Sequence, residues 1–338
     1  MTAQRLELYR HLRRIRLLDE RLVQLQRQGR VAFHGSCAGQ EVAPVAAALA
    51  LRAGDWIFPA LRESYAMLVR GYPLARYLAQ DFGTSLDSNR GRQMPSHQSA
   101  RSVNVVSWSS CIGTQLPQAV GMALAAKKLG KSDISLAFLG DGATSHPDFH
   151  AALNFAGVFR APCVFVCQNN QFAISVPVER QSGNPLLFEK AAAYGIVGER
   201  VDGNDAEVVL EALTRAAERA RQGGGPSFVE CLTYRVGPHS SSDDPSRYRD
   251  EAVTRAWELR DPVLLMRTRV LADGVWDEAR DAALTQELSQ ELDLAVATAE
   301  LAPPPPVSSL FDDVYAKRPR HLVEQAESLD ALKRTRGP

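Results

Sequence analysis

No stretch of the 338 residues approaches the roughly 18 to 20 consecutive apolar positions that a membrane-spanning helix requires. Nor does one sign of charge dominate, since Lys plus Arg and Asp plus Glu number 39 each. That balance removes the electrostatic case for a nucleic-acid partner or an anionic membrane surface, so partners must be argued from individual sites. Cysteine is scarce and unpatterned. Cys37, Cys111, Cys163, Cys167 and Cys231 are an odd number, with no CxxC pair and no neighbouring histidine cluster, which argues against a disulfide framework and a zinc site. The expectation is a reducing, cytoplasmic setting, with Cys163 and Cys167 as small buried hydrophobes. A transit peptide is not expected either. "YRHLRRIRLLDERLVQLQ" is arginine-rich, but Glu7, Asp19 and Glu20 interrupt the pattern and no cleavage site follows, so it reads as an amphipathic helix of the mature protein.

What the sequence does have is an ordinary globular composition, 45% hydrophobic and 23% charged, arranged in an alternating rhythm. Helical character runs from residue 5 to 28 and through "EVAPVAAALAL". "TQLPQAVGMALAAKKLG" closes on lysines and Gly130, as the helix dipole and a left-handed C-cap favour. "ISLAFLG", 134 to 140, is short and continuously apolar, which predicts a strand covered on both faces. "HPDFHAALNFAGVF" predicts a helix with proline in its first turn, and "APCVFVCQNN" a second covered strand. A further strand and helix follow in "YGIVGERVDGND" and "AEVVLEALTRAAERARQG", then a strand in "PSFVECLTYRV". The fold class this predicts is α/β, a doubly wound and mostly parallel sheet with a helical C-terminal extension. One main domain is expected over 1 to 302. The four prolines at 303 to 306 open a linker and helical arm over 303 to 338. Met94 and Met122 read as core fillers.

Chemistry is expected where the strands end. The right-handed crossover places the C-terminal ends of both strands on one sheet edge, and Asp141 and Asn170 each follow such an end. Their oxygens, with the main-chain carbonyl of Phe172, can converge on one cation, and magnesium completes an oxygen shell readily with phosphate. Gly140 and Gly142 allow close main-chain approach. The amides of Gly142, Ala143 and the following helix, expected to begin near Asp148, favour an anion. The spacing therefore predicts a magnesium diphosphate clamp.

"GDGATS" followed by "QNNQFAIS" resembles the thiamine diphosphate signature, and more of the chain follows suit. "FPALRESYAMLVRG", "GRQMPSH", "GTQLPQAVGMALAAK", "AAYGIVGERVDGND" and "VECLTYRVGPHSSSDDPSRYR" resemble, in order over roughly residues 30 to 260, the alpha subunit of the decarboxylating component of 2-oxo acid dehydrogenase complexes. "GRQMPSH" and the tail "LFDDVYAKRPRHLVEQ" are more similar to the branched-chain type than to the pyruvate type.

That resemblance implies an enzyme subunit in thiamine diphosphate-dependent oxidative decarboxylation of a 2-oxo acid, with acyl transfer to a lipoyl group. It implies Arg62, Gln168 and His239 at the diphosphate or the reacting centre, with His239 as the catalytic candidate. Ser110 and Ile112 would support the aminopyrimidine, and Asp141, Asn170 and the Phe172 carbonyl would bind magnesium. Ser109, Cys111, Thr114 and Gln115 match a stretch that holds potassium in some relatives, and Ser240 matches a phosphorylated position. Arg235 would help order the Ser-rich loop, pairing with Asp243 or Asp244. The implied partners are a beta subunit, in an α2β2 assembly that supplies the carboxylate activating the cofactor, and a lipoyl-bearing dihydrolipoyl acyltransferase. The chain departs from the family pattern at Leu61, where tyrosine is usual, at Gln168, where a basic residue often stands, at Gln171 and Phe172 and at His146-Pro147. Those departures keep open a noncatalytic subunit that retained the fold, and a pyruvate or acetoin type stays open because the pocket is shaped partly by the partner chain.

Overall fold

The computed structural model describes residues 2–336. Helices α1 (Thr2–Arg27) and α2 (Val42–Ala50) lead to strand β1 (Trp56–Phe58), then α3 (Ala66–Val69), α4 (Leu74–Phe82) and α5 (Gln115–Lys128). Next come β2 (Ser135–Gly140), α6 (Pro147–Phe159), β3 (Cys163–Asn169), a small hairpin of β4 (Phe172–Ala173) and β5 (Val176–Pro177), and α7 (Val178–Gln181). β6 (Val197–Asp202), α8 (Ala206–Arg221) and β7 (Ser227–Leu232) complete the sheet, and α9 (Glu251–Glu258), α10 (Pro262–Ala272), α11 (Glu278–Leu301) and α12 (Arg320–Arg336) follow.

Five strands pair in the order β1-β2-β3-β7-β6, all parallel. β1 is only three residues long, too short for a periodic signal in the sequence. The continuous apolar runs work because each central strand feeds two cores. Leu136 and Phe138 of β2 and Val164 and Val166 of β3 face a core built with α1, α2, α8 and α11, whereas Ala137, Leu139, Cys163, Phe165 and Cys167 face one built with α5 and α6. Side chains alternate across a strand, so both faces need apolar residues and the run carries no alternation. Cys163 and Cys167 are fully buried, as their setting predicts.

α11 ends at Leu301, and the proline segment behind it is tied down. Ser85 N–H donates to Pro303 O at 2.8 Å, and Arg90 pairs with Asp313 at 2.8 Å. α12 is exposed over most of its surface. Met122 is half-buried against the second core, but Met94 is 60% exposed, contrary to the core role expected for it. Its carbonyl is held by the Gln80 side chain while its own side chain stands in the loop before Pro95.

Candidate functional site

A cleft of about 560 Å3 opens at the C-terminal edge of the sheet. Arg62, Glu63, Trp108, Ser110, Ile112, Gly140, Asp141, Gly142, Ala143, Gln168, Asn170, Phe172, Arg235 and His239 all line it, so every position expected to hold thiamine diphosphate or magnesium is brought to one place, whereas Cys111 and Thr114 of the potassium-like stretch do not line it. The crossover rule is the physical reason: β2, β3 and β7 run parallel, and the residues just past their ends meet.

Asp141 follows β2 directly and is 1% exposed. Its Oδ2 is buried with no hydrogen-bond partner among the described residues, and burial pushes the carboxyl up to about 6. An unpartnered buried oxygen of this kind is costly unless something outside the chain completes it. Asn170 is buried and its Oδ1 accepts from Phe172 N–H at 3.2 Å. Among the described residues no three His, Cys, Asp or Glu side chains stand close enough to hold an ion. A cation at Asp141 therefore needs oxygen from Asn170, a main-chain carbonyl and the ligand itself, the donor set magnesium takes beside a phosphate.

Across the cleft, Arg62 and Arg235 are 4% and 1% exposed, and neither lies within 4 Å of a carboxylate oxygen among the described residues. Arg62 donates to Ser36 O and, at 2.6 Å, to His239 O; Arg235 donates to Ile174 O at 2.8 Å and Tyr248 Oη at 3.1 Å. Burial lowers the Arg62 guanidinium to about 10, with Arg235 as a like-charged neighbour, and burial also lowers Arg235. Two buried guanidiniums with no carboxylate in direct contact could hold an anion. The expected direct pair of Arg235 with Asp243 or Asp244 is replaced by a relay. Tyr248 Oη donates to Asp243, whose carboxylate also accepts His239 N–H at 2.7 Å. The tyrosine spans the gap, and Asp243 is spent fixing the loop backbone.

His239 has Nδ1 at 3.5 Å from Arg62 Nη2 and 3.4 Å from Arg235 Nη1. Both neighbours only donate, so Nδ1 accepts and the ring proton resides on Nε2. Burial, then Arg62 and Arg235, depress the imidazole to about 4. A depressed histidine contributes stability that is complete above the usual 6.5 and is lost as pH falls towards 4. The expected result in an NMR titration of the cofactor-free protein is a His239 midpoint near 4; a midpoint near 6.5 would show that the two cations do not act on it.

One local expectation, that the amides at the start of α6 face the cleft, is corrected, and two others gain detail. α6 begins at Pro147, with His146 as its N-cap accepting from Asp148 N–H at 3.2 Å. The helix start is thus capped by its own chain and does not line the cleft; only the turn Gly140–Ala143 does. Gly142 serves packing, because a Cβ there would meet Ala173 Cβ at 2.8 Å, whereas a Cβ on Gly140 would meet nothing within 4 Å. At the potassium-like stretch, Thr114 Oγ1 donates to Cys111 O at 3.0 Å and Gln115 Nε2 to Phe138 O at 2.8 Å, while Ser109 Oγ accepts from Cys111 N–H at 3.2 Å.

Sequence reasoning missed Glu63 as a member of the site. Its carboxylate accepts from the amides of Ala60 and Arg62 at 2.9 and 3.2 Å and from Gln168 Nε2, and burial raises it above the usual carboxylate range. It welds the Arg62 turn to the end of β3. Its position next to Arg62 in "LRES" was the only available signal.

A family model described as "Dehydrogenase E1 component" matches residues 9–308. The chain is 39% identical over 322 residues to the pyruvate dehydrogenase E1 component subunit alpha of Bacillus subtilis, covering 95% of this chain and 84% of that one. It is 43% identical over 319 residues to the 3-methyl-2-oxobutanoate dehydrogenase subunit alpha of Mycobacterium tuberculosis, covering 94% and 84%. Against the mitochondrial 2-oxoisovalerate dehydrogenase subunit alpha 1 of Arabidopsis thaliana the identity is 39% over 326 residues, covering 96% and 69%.

Proposed function

Because the chain belongs to the dehydrogenase E1 component family, as an alpha subunit of a 2-oxo acid dehydrogenase, we propose that it decarboxylates a branched-chain 2-oxo acid and passes the acyl group to a lipoyl arm. The observation that carries a diphosphate cofactor here is the pairing of Asp141 Oδ2, buried without a partner among the described residues, with two buried guanidiniums that make no ion pair within 4 Å there. The branched-chain choice is supported by "GRQMPSH", by the tail after Leu310 and by the Mycobacterium relative. The Bacillus relative supports pyruvate as the second reading.

The family is thiamine diphosphate-dependent, and the residues fit that group. Asp141, Asn170 and the Phe172 carbonyl would hold magnesium, with the Gly140–Ala143 turn and Arg62 against the diphosphate. When bound, the cofactor supplies the electron sink that decarboxylation requires. The chain's own part is binding, orientation and proton placement. His239, neutral at pH 7, offers Nε2–H with no hydrogen-bond partner among the described residues, so it can donate to a developing negative charge and take the proton back.

Of the carboxylates at the cleft, Asp141 sits at the proposed metal and both oxygens of Glu63 are occupied. The family resemblance implies that the carboxylate activating the cofactor comes from a beta subunit, and the engagement of these two carboxylates is consistent with that. Phe155 and Phe159 lie side by side on the outer face of α6, their rings tilted and centroids 5.8 Å apart, both about half exposed beside Val158, which suits a chain that functions in a heteromer. The lipoyl-bearing acyltransferase is the proposed acceptor, the cytoplasm the proposed compartment, and potassium at Ser109, Cys111, Thr114 and Gln115 a proposal tested by potassium-dependent thermal stability. No described helix is long and apolar enough to cross a membrane.

Co-expression with a beta subunit, followed by decarboxylation assays, tests the substrate. Higher kcat/KM for 3-methyl-2-oxobutanoate than for pyruvate is expected; the reverse order would establish the second reading, and no turnover of any 2-oxo acid would point to a noncatalytic subunit. The Gln168 departure makes a separate prediction. Gln168→Arg should tighten cofactor binding by about tenfold, since a charge-assisted contact is worth ~1.5 to 3 kcal/mol and Glu63 already stands beside it as counter-ion. Unchanged affinity by calorimetry would show that position 168 does not face the diphosphate.

A further inference from the structure

The loop "MPSHQ", Met94 to Gln98, carries a histidine that no functional assignment above uses. Its main chain is clamped from α4. Gln80 Oε1 accepts His97 N–H at 3.2 Å, and the buried Asp81 carboxylate accepts Ser96 N–H at 2.9 Å and Gln98 Nε2 at 3.1 Å. Ser96 adopts φ 66°, a left-handed conformation that turns the chain so that the next residue faces inward. The His97 ring, 4% exposed, lies over Trp108 with centroids 3.9 Å apart. Its Nδ1 is 3.0 Å from Pro95 O, and its Nε2 is 2.8 Å from Ser110 Oγ. Trp108 and Ser110 both line the cleft.

These contacts fix a direction. Pro95 O can only accept, so Nδ1 carries the ring proton and the neutral ring presents a lone pair at Nε2. The Ser110 hydroxyl must then donate to His97, which leaves its oxygen facing the cleft as an acceptor. We infer that His97 is a positioning residue that sets Ser110 as a hydrogen-bond acceptor and thereby selects a ligand carrying an amino group at that point, the exocyclic amine of an aminopyrimidine. The inference rests on the cofactor reading above and deepens it: the diphosphate end of the cleft reads charge, and the Trp108–Ser110 end reads an N–H donor on a flat ring.

The test uses the complex co-expressed with its beta subunit and three probes titrated with magnesium present: thiamine diphosphate, its analogue lacking the exocyclic amine, and inorganic pyrophosphate. His97→Phe keeps a ring to pack against Trp108 and removes the acceptor. It is expected to weaken thiamine diphosphate roughly tenfold, the value of one hydrogen bond, while leaving the deamino analogue and pyrophosphate within about twofold of wild type. His97→Gln, whose Oε1 can accept the serine proton, should restore part of the loss, and Ser110→Ala should reproduce the His97→Phe pattern. An equal loss for all three probes would show that His97 only holds the loop, and no loss for any would show that Ser110 does not depend on it; either result overturns the inference. If the wild type binds pyrophosphate but gains nothing from the thiamine moiety, the cofactor reading fails first and takes this inference with it.

Discussion

Replacing Asp141 with Asn is expected to abolish magnesium-dependent binding of thiamine diphosphate in the assembled complex while leaving the chain at least as stable as wild type at pH 7. The two effects have one origin. Asp141 is buried, its Oδ2 has no partner among the described residues, and burial raises its carboxyl to about 6. A carboxyl raised in the folded state contributes stability that is complete below the unfolded value of about 4 and is lost as pH rises through 6, so the ionised form at pH 7 is a cost that only a bound cation offsets. The amide keeps the shape and removes that cost, but it also removes the anionic metal ligand. A loss of ~100-fold or more in affinity corresponds to about 2.7 kcal/mol, the scale of one charged contact. Calorimetric titration with magnesium, beside thermal unfolding at pH 5 and pH 7, checks both halves. Wild-type cofactor affinity in Asp141→Asn would remove the metal from this position, and a large fall in stability would make Asp141 a structural residue.

His239→Ala is expected to lower turnover by ~100-fold or more, the usual range for a positioned acid or base, with a stability change of at most about 1 kcal/mol. His239 is half-buried, and its loop is held mainly by groups that the substitution leaves in place: Asp243, Tyr248 and Arg249, which donates to the carbonyls of Val236 at 3.2 Å and Gly237 at 3.0 Å. What the alanine removes is the Nε2–H and the acceptor Nδ1 shared by two guanidiniums. Residues 237 to 249 are rich in serine, glycine and proline and bury little apolar area, so their amide exchange should be fast without cofactor and slow when cofactor and magnesium are bound. Normal turnover by His239→Ala, with exchange unchanged on cofactor addition, would reduce the segment to a connector.

The parallel sheet and the meeting of Asp141 and Asn170 at its edge were legible because both follow from short-range rules. Continuous apolar runs such as "ISLAFLG" announce strands covered on two faces, and topology places Asp141 and Asn170 together once those strands are parallel. β1 was not legible, since three residues carry no period. The links that cross the fold were hidden for a different reason. Glu63 bonded to Gln168, 105 positions away, and the Arg235–Tyr248–Asp243 relay depend on tertiary placement that no local pattern encodes. Met94 misled because methionine is a weak guide to burial in a loop pinned through its carbonyl. The start of α6 was read to within a residue, but its cap was not, because a histidine takes a role more often filled by serine, threonine, aspartate or asparagine.

The central claim is that this chain holds the metal and the diphosphate of a site it shares with another subunit. The most direct measurement is the structure of the complex co-expressed with its beta subunit, bound to thiamine diphosphate and magnesium. The account predicts magnesium coordinated by Asp141, Asn170 and the Phe172 carbonyl, with the diphosphate beside Arg62 and a carboxylate of the partner chain against the pyrimidine. A cofactor seated wholly within one chain, or a diphosphate bound away from the C-terminal ends of β2 and β3, would contradict it.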